Sequence, residues 1–372
     1  MMQTRFTRLV GCELPIQMAG MGGIAIPPLV VAVCRAGGLG MLAGTGSSPE
    51  TMQRLLDDVR AGTDRPFGVN FLMPYLRETA CVDAAAAVAR VVEFFYGAPD
   101  AHLVERVHAA GALACWQVGS ADEAQAAERT GCDLIVAQGV EAGGHIRGQI
   151  GLLTLLDQVL RRVRVPVIAA GGVGSGRAMA TALAGGAAAV RVGTRFVAAL
   201  ESPAHPLYVE HLVEARAQDT EVTHAFDLGW PDAPHRVLRS SLDAARGVAD
   251  DVIGADHDYF DPRRRSPIRR WQVLTPTVLT TGTIAAMPLW AGESVDFVTR
   301  RQSAADIVRE LVDEAAQLLR EHRMAGSAVV IQGGSLHDAA AAGMRVGRAS
   351  HPAHPPDASS TVAVTRSAWC ST

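Results

Sequence analysis

A repeated alternation of short apolar runs with longer segments of helical periodicity constrains the fold most strongly. The runs are rich in Val, Ile, Leu and Ala, and each is followed by Gly or Pro and then an amphipathic stretch. Because strands that are joined through helices run parallel, this pattern predicts a parallel sheet covered by helices. The candidate strands are PIQMA from Pro15, LGMLA from Leu39, PFGVNF from Pro66, VVEFFY from Val91, LACWQV from Leu113, LIVAQ from Leu134, VPVIAA from Val165 and AAVRVG from Ala188.

Eight parallel strands are the number that closes a TIM barrel. An open doubly wound sheet is the alternative, but no GxGxxG turn follows the first strand, and glycine-rich loops follow several different strands. We therefore predict an α/β protein whose residues 1–204 form a (β/α)₈ TIM barrel. We expect a smaller, mostly helical insertion subdomain at 205–290 that covers the barrel mouth. A C-terminal helix at 291–332 should pack on the barrel, and a disordered tail should occupy 333–372.

The absence of lysine excludes several classes of enzyme, since all 34 basic side chains are arginines. Schiff-base aldolases, pyridoxal enzymes and P-loop NTPases need a lysine amine to form an imine or to contact a phosphate. Any phosphate group must therefore be bound by backbone N–H groups or by arginine.

Charge and cysteine usage indicate the compartment and the partners. The net charge of −4 provides no basic face for nucleic acid. The N-terminus lacks the features of a secretory signal, and no stretch approaches the roughly 20 apolar residues of a membrane span. We expect a cytoplasmic protein that binds neither nucleic acid nor membranes. The six cysteines show no metal-ligand spacing, so we expect neither disulfides nor a metal site.

Glycines follow the last two candidate strands, as a pair in AAGGVGSGR at 169–177 and singly in RVGTRF at 191–196. Backbone N–H groups can approach an anion at such positions because no Cβ atom stands in the way. The alternative is that these glycines serve only tight turns. Two such loops on consecutive barrel strands favour a phosphate site.

His145 is the best candidate for a general acid or base. It lies in the glycine-rich sequence AQGVEAGGHIRG after the sixth candidate strand, and we expect this flexible loop to face the barrel mouth. Three other histidines, His205, His224 and His235, lie in the predicted subdomain. Residues of this kind can line a mouth but are more often on the surface.

Amide side chains end three further strands, at Asn70, Gln117 and Gln138. Their donors and acceptors are of the type that binds the polar edge of a flavin ring. Met18 and Gly20, after the first strand, can place backbone groups against such a ring. A packing role is equally ordinary for Met18.

Six segments share their order and strand positions with one known family. They are PIQMAG, AGGLGML, PFGVNF, IVAQGVEAGGH, PVIAAGGVGSGR and VGTRF, followed by weaker similarity in ESPAHP and WAGESV. Together they resemble the nitronate monooxygenases, formerly called 2-nitropropane dioxygenases. The resemblance implies an FMN-containing barrel in which the AAGG and GTRF loops bind the flavin phosphate. By position, the residues around the cofactor would be Met18, Ala19, Gly20, Asn70, Gln117, Gln138, Gly143, Gly144, Ala170, Gly171, Gly172, Gly193 and Thr194.

The resemblance also implies an activity, the oxidation of alkyl nitronates or nitroalkanes by O₂ to carbonyl compounds and nitrite. His145 corresponds to the histidine base of the family. The partners would be a small-molecule substrate and O₂, and homodimer formation stays open. Because the position of Gln117 is a lysine in some relatives, we expect the flavin here to lack that neighbouring positive charge.

Two other functions remain open. The segments EAGGHI and ESPAHPLYVEHLVEARAQDT also resemble the flavin-dependent enoyl-acyl-carrier-protein reductases, which use NAD(P)H. A flavin-binding barrel without turnover is the non-enzymatic alternative. Trp230, Trp271 and Trp290 can line a hydrophobic entrance, although tryptophans are more often core anchors.

Overall fold

The computed structural model describes residues 2–261 and 263–329, so the predicted tail at 333–372 lies outside the described residues. In chain order, the strands are β1 Ile16–Met18, β2 Met41–Ala43, β3 Gly68–Leu72, β4 Val91–Phe95, β5 Leu113–Val118, β6 Leu134–Gln138, β7 Gly144–His145, β8 Val167–Ala170, β9 Ala189–Val192, β10 Thr220–Thr223, β11 His235–Leu238, β12 Val252–His257, β13 Arg265–Arg269 and β14 Thr280–Gly282. The helices are α1 Arg5–Val10, α2 Pro27–Arg35, α3 Pro49–Gly62, α4 Ala80–Ala86, α5 Ala101–Ala109, α6 Ala121–Arg129, α7 Leu152–Leu160, α8 Gly176–Ala184, α9 Thr194–Val197, α10 Pro206–Glu214, α11 Arg239–Gly247 and α12 Ala304–Val329.

Eight parallel strands form the barrel, in the order β1-β9-β8-β6-β5-β4-β3-β2. The barrel closes between β1 and Leu39, two residues before β2 begins. There, the N–H of Met18 donates to the carbonyl of Leu39 at 2.9 Å, and the N–H of Leu39 donates to Ile16 at 2.8 Å. Each of the eight predicted strands is present, and the (β/α)₈ TIM barrel is confirmed.

The helices of the outer ring show why the sequence folds in this way, and α3 is an example. Ser48 precedes the helix and its side chain accepts from the N–H of Thr51, while Pro49 occupies the first helical position, where no backbone donor is needed. Four apolar residues at helical spacing are buried against the barrel: Met52, Leu55, Leu56 and Val59. Each contributes roughly 1.5–3 kcal/mol by leaving water.

The subdomain is mixed rather than mostly helical, so that expectation is wrong. Its helices α10 and α11 are accompanied by five short strands in two three-stranded antiparallel sheets. One sheet has the order β10-β11-β7 and therefore contains a strand from the loop after β6; the other has the order β13-β12-β14. These strands were missed because they are short and partly polar: β13 reads RSPIR and buries only Ile268. Such a strand shows no alternation of apolar and polar residues from which it could be predicted.

The C-terminal helix α12 begins later than expected, at Ala304. The side chain of Ser303 accepts from the N–H of Asp306 at 3.0 Å, which fixes the start of the helix. The preceding segment Glu293–Phe297 is a 3₁₀ helix. Barrel and subdomain belong to one compact unit, Met1–His322. None of the helices described is long and apolar enough to cross a membrane.

Candidate active site

A cavity of about 520 Å³ lies at the carboxyl ends of the barrel strands and beneath the subdomain. This is the usual position of a TIM-barrel active site, and the volume is in the range of small-molecule pockets. The predicted site residues that line the cavity are Ala19, Gly20, Asn70, Gln117, Gln138, Gly143, Gly144, His145, Ala170, Gly171, Gly172, Gly193 and Thr194. Met18 is not among the lining residues, because it is fully buried and its N–H closes the barrel.

One end of the cavity is made by the loops that follow β8 and β9. Gly171 and Gly172 have φ values of +108° and +69°, which residues with a side chain rarely adopt. Neither glycine uses its N–H in a backbone hydrogen bond to another described residue. A Cβ atom at Gly171 would also lie 3.0 Å from the carbonyl oxygen of Gly139. The loop after β8 therefore presents free backbone donors, as an anion site requires.

The barrel side of the cavity, here called the polar rim, consists of Asn70, Gln117, Gln138 and Arg191. Two buried amide oxygens, Oδ1 of Asn70 and Oε1 of Gln138, have no hydrogen-bond partner among the described residues. Orphaned buried acceptors are rare in proteins and point to a group that is bound there. The Gln117 position itself carries no charge, but the Arg191 guanidinium, which is paired with Glu93, lines the cavity and donates to Oε1 of Gln117 at 2.5 Å.

The glycines around His145 suggested a flexible loop, but strand pairing fixes this residue instead. The two-residue strand β7 pairs antiparallel with β11, so that His145 lies opposite His235 and Gly144 opposite Arg236. The N–H of the next residue, Ile146, donates to the carbonyl of Pro234 at 2.9 Å. The subdomain therefore determines the position of the histidine that follows β6.

The subdomain side of the cavity is aromatic, and we call Tyr75, Trp230 and Trp290 the aromatic wall. The Trp230 ring is stacked on the His145 ring, with centroids 3.9 Å apart and an interplanar angle of 18°. Trp290 lies 5.3 Å from His145, and Tyr75 lies edge-on to Trp230 at 5.3 Å. Trp271 instead packs against the buried cluster inside the subdomain.

Burial keeps His145 neutral. Loss of water around the ring, and secondarily the neighbouring His235, lower the pKa of His145 to about 3. Its Nε2 is buried and has no partner among the described residues. His235 is itself fully buried rather than on the surface: its Nδ1 lies 2.9 Å from the carbonyl of Ala233 and its Nε2 accepts from the N–H of Phe226. At neutral pH, His145 is therefore uncharged and able to accept a proton.

These features fit a planar heteroaromatic cofactor with a phosphate group. The glycine loops suit the phosphate, the unpartnered amide oxygens suit the polar edge of a ring, and the aromatic wall leaves space for an apolar face. Within the part of the chain that the structure describes, no group of three or more His, Cys, Asp or Glu side chains could hold a metal ion.

Comparison with known proteins identifies the family. The sequence profile described as "Nitronate monooxygenase" matches residues 3–87 and 77–314. The chain belongs to this family. It is 32% identical over 360 residues to a nitronate monooxygenase of Pseudomonas aeruginosa, with 84% of this chain and 99% of that protein covered.

Two further similarities broaden the chemistry of the relatives. Over 242 residues, the chain is 38% identical to "(3aS,4S,5R,7aS)-5-hydroxy-7a-methyl-1-oxo-octahydro-1H-indene-4-carboxyl-CoA dehydrogenase" of Rhodococcus jostii, covering 65% of this chain and 67% of that one. Among solved structures, FabK from Thermotoga maritima superposes with a TM-score of 0.72 at 31% identity, covering 87% of this chain and 99% of that one. The chain is thus a flavin-dependent oxidoreductase of the nitronate monooxygenase family.

For this nitronate monooxygenase family member, sequence patterns identified the three amides of the rim, but neither its arginine nor the wall. Tyr75 and Arg191 were missed as site residues, and the roles of Trp230 and Trp290 were left open. The only sequence signal for Arg191 is its place inside a buried strand, where an unpaired charge would be costly and a partner is therefore required.

Proposed function

We propose that the protein uses FMN to oxidise alkyl nitronates or nitroalkanes with O₂, forming carbonyl compounds and nitrite, with His145 as the base. The observation that carries this proposal is the state of His145. It is half-buried and neutral, its buried Nε2 has no partner among the described residues, and it lies in the same cavity as the two glycine loops. A neutral imidazole in that position is ready to accept the α-proton of a nitroalkane.

Different residues of the cavity would have different roles in the reaction. Gly171, Gly172, Gly193 and Thr194 would bind the FMN phosphate through backbone N–H groups, and the amides of the polar rim would bind the edge of the ring. FMN, when bound, supplies the electron transfer. The aromatic wall excludes water from the reacting carbon, which protects the proton transfer to His145 from competition.

A visible spectrum of the purified protein tests the cofactor and the reaction together. The protein should show flavin bands that bleach anaerobically when a nitronate is added, and nitrite should be released when air is admitted. Bleaching by NADPH but not by nitronate would contradict the proposal. Absence of flavin even after reconstitution would remove the basis of the proposed FMN site.

The variant His145→Ala tests the base. Turnover of a neutral nitroalkane should fall by about 10²–10⁴-fold, the usual contribution of general acid–base catalysis. Turnover of a preformed nitronate should fall much less, because its α-proton has already been removed. The flavin spectrum should be unchanged.

The matched control is His102→Ala, since the His102 side chain is 91% exposed on α5. This variant should behave as the wild type with both substrates. Full turnover of a neutral nitroalkane by His145→Ala would show that another group is the base.

A second candidate function is the NAD(P)H-dependent reduction of an enoyl thioester. Similarity to a dehydrogenase that acts on a carboxyl-CoA compound, and to FabK, favours it. Rapid flavin reduction by NADPH together with turnover of a crotonyl thioester would support this candidate, and their absence would exclude it.

A further inference from the structure

A buried ion pair connects Arg191 of the polar rim with Glu93 in the barrel interior. Glu93 on β4 is completely buried and Arg191 on β9 is 6% exposed, and their side chains form a salt bridge. TIM-barrel interiors are dominated by packed branched apolar side chains, so a charged pair in this layer is unusual. Burying an ion pair is often neutral or unfavourable for stability compared with apolar packing. The pair therefore calls for an explanation other than stability.

The two charged groups fix the orientation of the amides that contact them. Arginine has only hydrogen-bond donors, and a carboxylate paired with it only accepts. Nδ2 of Asn70 donates to Glu93 at 2.7 Å, and Oε1 of Gln117 accepts from Arg191 at 2.5 Å. An amide elsewhere can turn over and exchange its oxygen and nitrogen, but either amide here would then face a group of the same polarity. Gln17 obeys the same rule, because its Oε1 accepts from Arg191 at 2.8 Å and its Nε2 lies 3.4 Å from Glu93.

The opposite end of each amide is left for the cavity. Asn70 presents Oδ1, a buried acceptor without a partner, and Gln117 presents Nε2, a donor. Gln138 is fixed in a similar way by its Nε2, which donates to the carbonyl of His145 at 3.0 Å and leaves Oε1 free. The rim thus offers two acceptors and one donor. The polar edge of a flavin ring carries one N–H donor between two carbonyl acceptors. The N–H can therefore donate to one acceptor of the rim and a carbonyl can accept from Gln117, while the other rim acceptor is left for a hydroxyl of the ribityl chain.

We propose that Glu93 and Arg191 are a positioning pair that sets the donor and acceptor polarity of the flavin-binding rim. The proposal rests on the proposed FMN site, but it assigns a role to the ion pair that orients the amides rather than to the amides themselves. Arg191 holds Gln117 as a donor toward the ring, and Glu93 holds Asn70 as an acceptor.

Two substitutions of Gln117 test the polarity without breaking the pair. Gln117→Glu keeps the shape and the contact with Arg191 but replaces the donor by an acceptor, whereas Gln117→Met removes both functions. The FMN dissociation constant, measured by quenching of FMN fluorescence, should rise about tenfold or more in both variants, because a buried donor is lost. Affinity in Gln117→Glu equal to that of the wild type would show that Gln117 accepts from the ligand, which would overturn the proposal.

The double variant Glu93→Gln with Arg191→Met tests the pair itself while leaving no unpaired charge buried. Its FMN dissociation constant should rise about tenfold or more, and the flavin absorption bands should shift, because Asn70 and Gln117 are then free to turn over. The matched control is Asp83→Asn with Arg106→Met, which removes the salt bridge between α4 and α5, away from the cavity. That control should bind FMN as the wild type does.

Unchanged FMN affinity and spectrum in a folded Glu93→Gln, Arg191→Met protein would overturn the proposal. If this double variant fails to fold, the two Gln117 variants decide the test, because neither removes the ion pair. Gln117→Glu keeps the contact with Arg191 and Gln117→Met deletes it. These measurements use FMN binding and not turnover, so a failure of nitronate oxidation would leave them interpretable. If the wild type itself bound no FMN, the proposed function would fail first.

Discussion

The polar rim and the aromatic wall face each other across one cavity but are built in different ways. The rim comes from the ends of parallel strands and its features are local: three amides and one arginine, beside the glycine loops that follow β8 and β9. The wall is assembled mainly from residues far away in the chain, and it shields a neutral histidine from water. The difference shows that cofactor binding and proton transfer rest on separate parts of the molecule, so mutations should affect them separately.

The two regions meet at Gly143, where the loop after β6 contacts the Ala291–Gly292 backbone. A Cβ atom at Gly143 would lie 2.4 Å from the backbone nitrogen of Gly292, closer than real Cβ contacts, and backbone atoms cannot move aside easily. The added Cβ atom of Gly143→Ala should therefore push the loop after β6 away from the Ala291–Gly292 segment and weaken the contact between the rim and the wall. We expect the free energy of unfolding to fall by about 1–3 kcal/mol, as is typical of overpacking, when measured by urea denaturation.

Gly247→Ala is the control for Gly143→Ala, which has the largest expected effect. Gly247 ends helix α11, is exposed, and has open space where a Cβ atom would stand. Its unfolding free energy should stay within about 0.5 kcal/mol of the wild type, or rise slightly. If Gly143→Ala were equally harmless, the loop and the Ala291–Gly292 segment would not be rigidly packed, and the rim and the wall would be less tightly joined than the structure indicates.

Gly171→Ala should act on the glycine loop beside the rim and not on the wall. Alanine is strained at a φ of +108°, and its Cβ would press on the Gly139 carbonyl, so the loop must shift away from its anion-binding arrangement. FMN affinity should fall about tenfold, which corresponds to about 1.4 kcal/mol. Titration of the protein with FMN under fluorescence detection measures this change.

Gly111→Ala separates backbone strain from cofactor binding. Gly111 also has a positive φ, +79°, but it follows α5 far from the cavity lining and has open space around its Cβ position. This variant should lose a comparable amount of stability while its FMN affinity stays at the wild-type level. Equal losses of FMN affinity in both variants would mean that Gly171 matters only through general stability.

The contrast between the rim and the wall also explains what the sequence could predict. Barrel strands can be predicted from local sequence, because a short run such as LIVAQ is apolar, is bounded by turn residues and ends at the barrel mouth. Every residue at such a strand end is therefore a site candidate, and Asn70, Gln117 and Gln138 all line the cavity. Local pattern is sufficient there since the barrel geometry does the rest.

Long-range pairing left no comparable signal. The strand β7 has two residues and pairs with β11, which begins at His235, 90 positions after His145. Nothing in GGH or HRVL by itself indicates that they meet, and the glycines around His145 instead suggested flexibility. Trp230 was ambiguous for the same reason: an isolated tryptophan in a segment without periodicity gives no information about its neighbours.

The last prediction concerns the wall and has the smallest effect under ordinary conditions. His145 acts as a base only when it is neutral, and its pKa of about 3 means that acid does not protonate it until the pH is very low. The wild-type kcat/KM for a neutral nitroalkane should therefore show no loss from His145 protonation between about pH 5 and pH 8. In Trp230→Ala, water reaches the ring, burial lowers the pKa less, and the value should move toward the ordinary 6.5.

An acid limb should then appear in the pH profile of Trp230→Ala, with kcat/KM falling below about pH 6 while its value at pH 8 is affected only by the loss of the stacking contact. The matched control is Trp230→Phe, which keeps an aromatic cover over His145 and should keep the flat profile. His235 is the other group that lowers the pKa of His145, and it is unchanged in both variants, so a difference between them isolates the contribution of burial. An acid limb in the wild type as strong as in Trp230→Ala would mean that the wall does not keep His145 neutral. Cofactor binding by the rim and proton transfer near the wall would then not be separate in the way proposed.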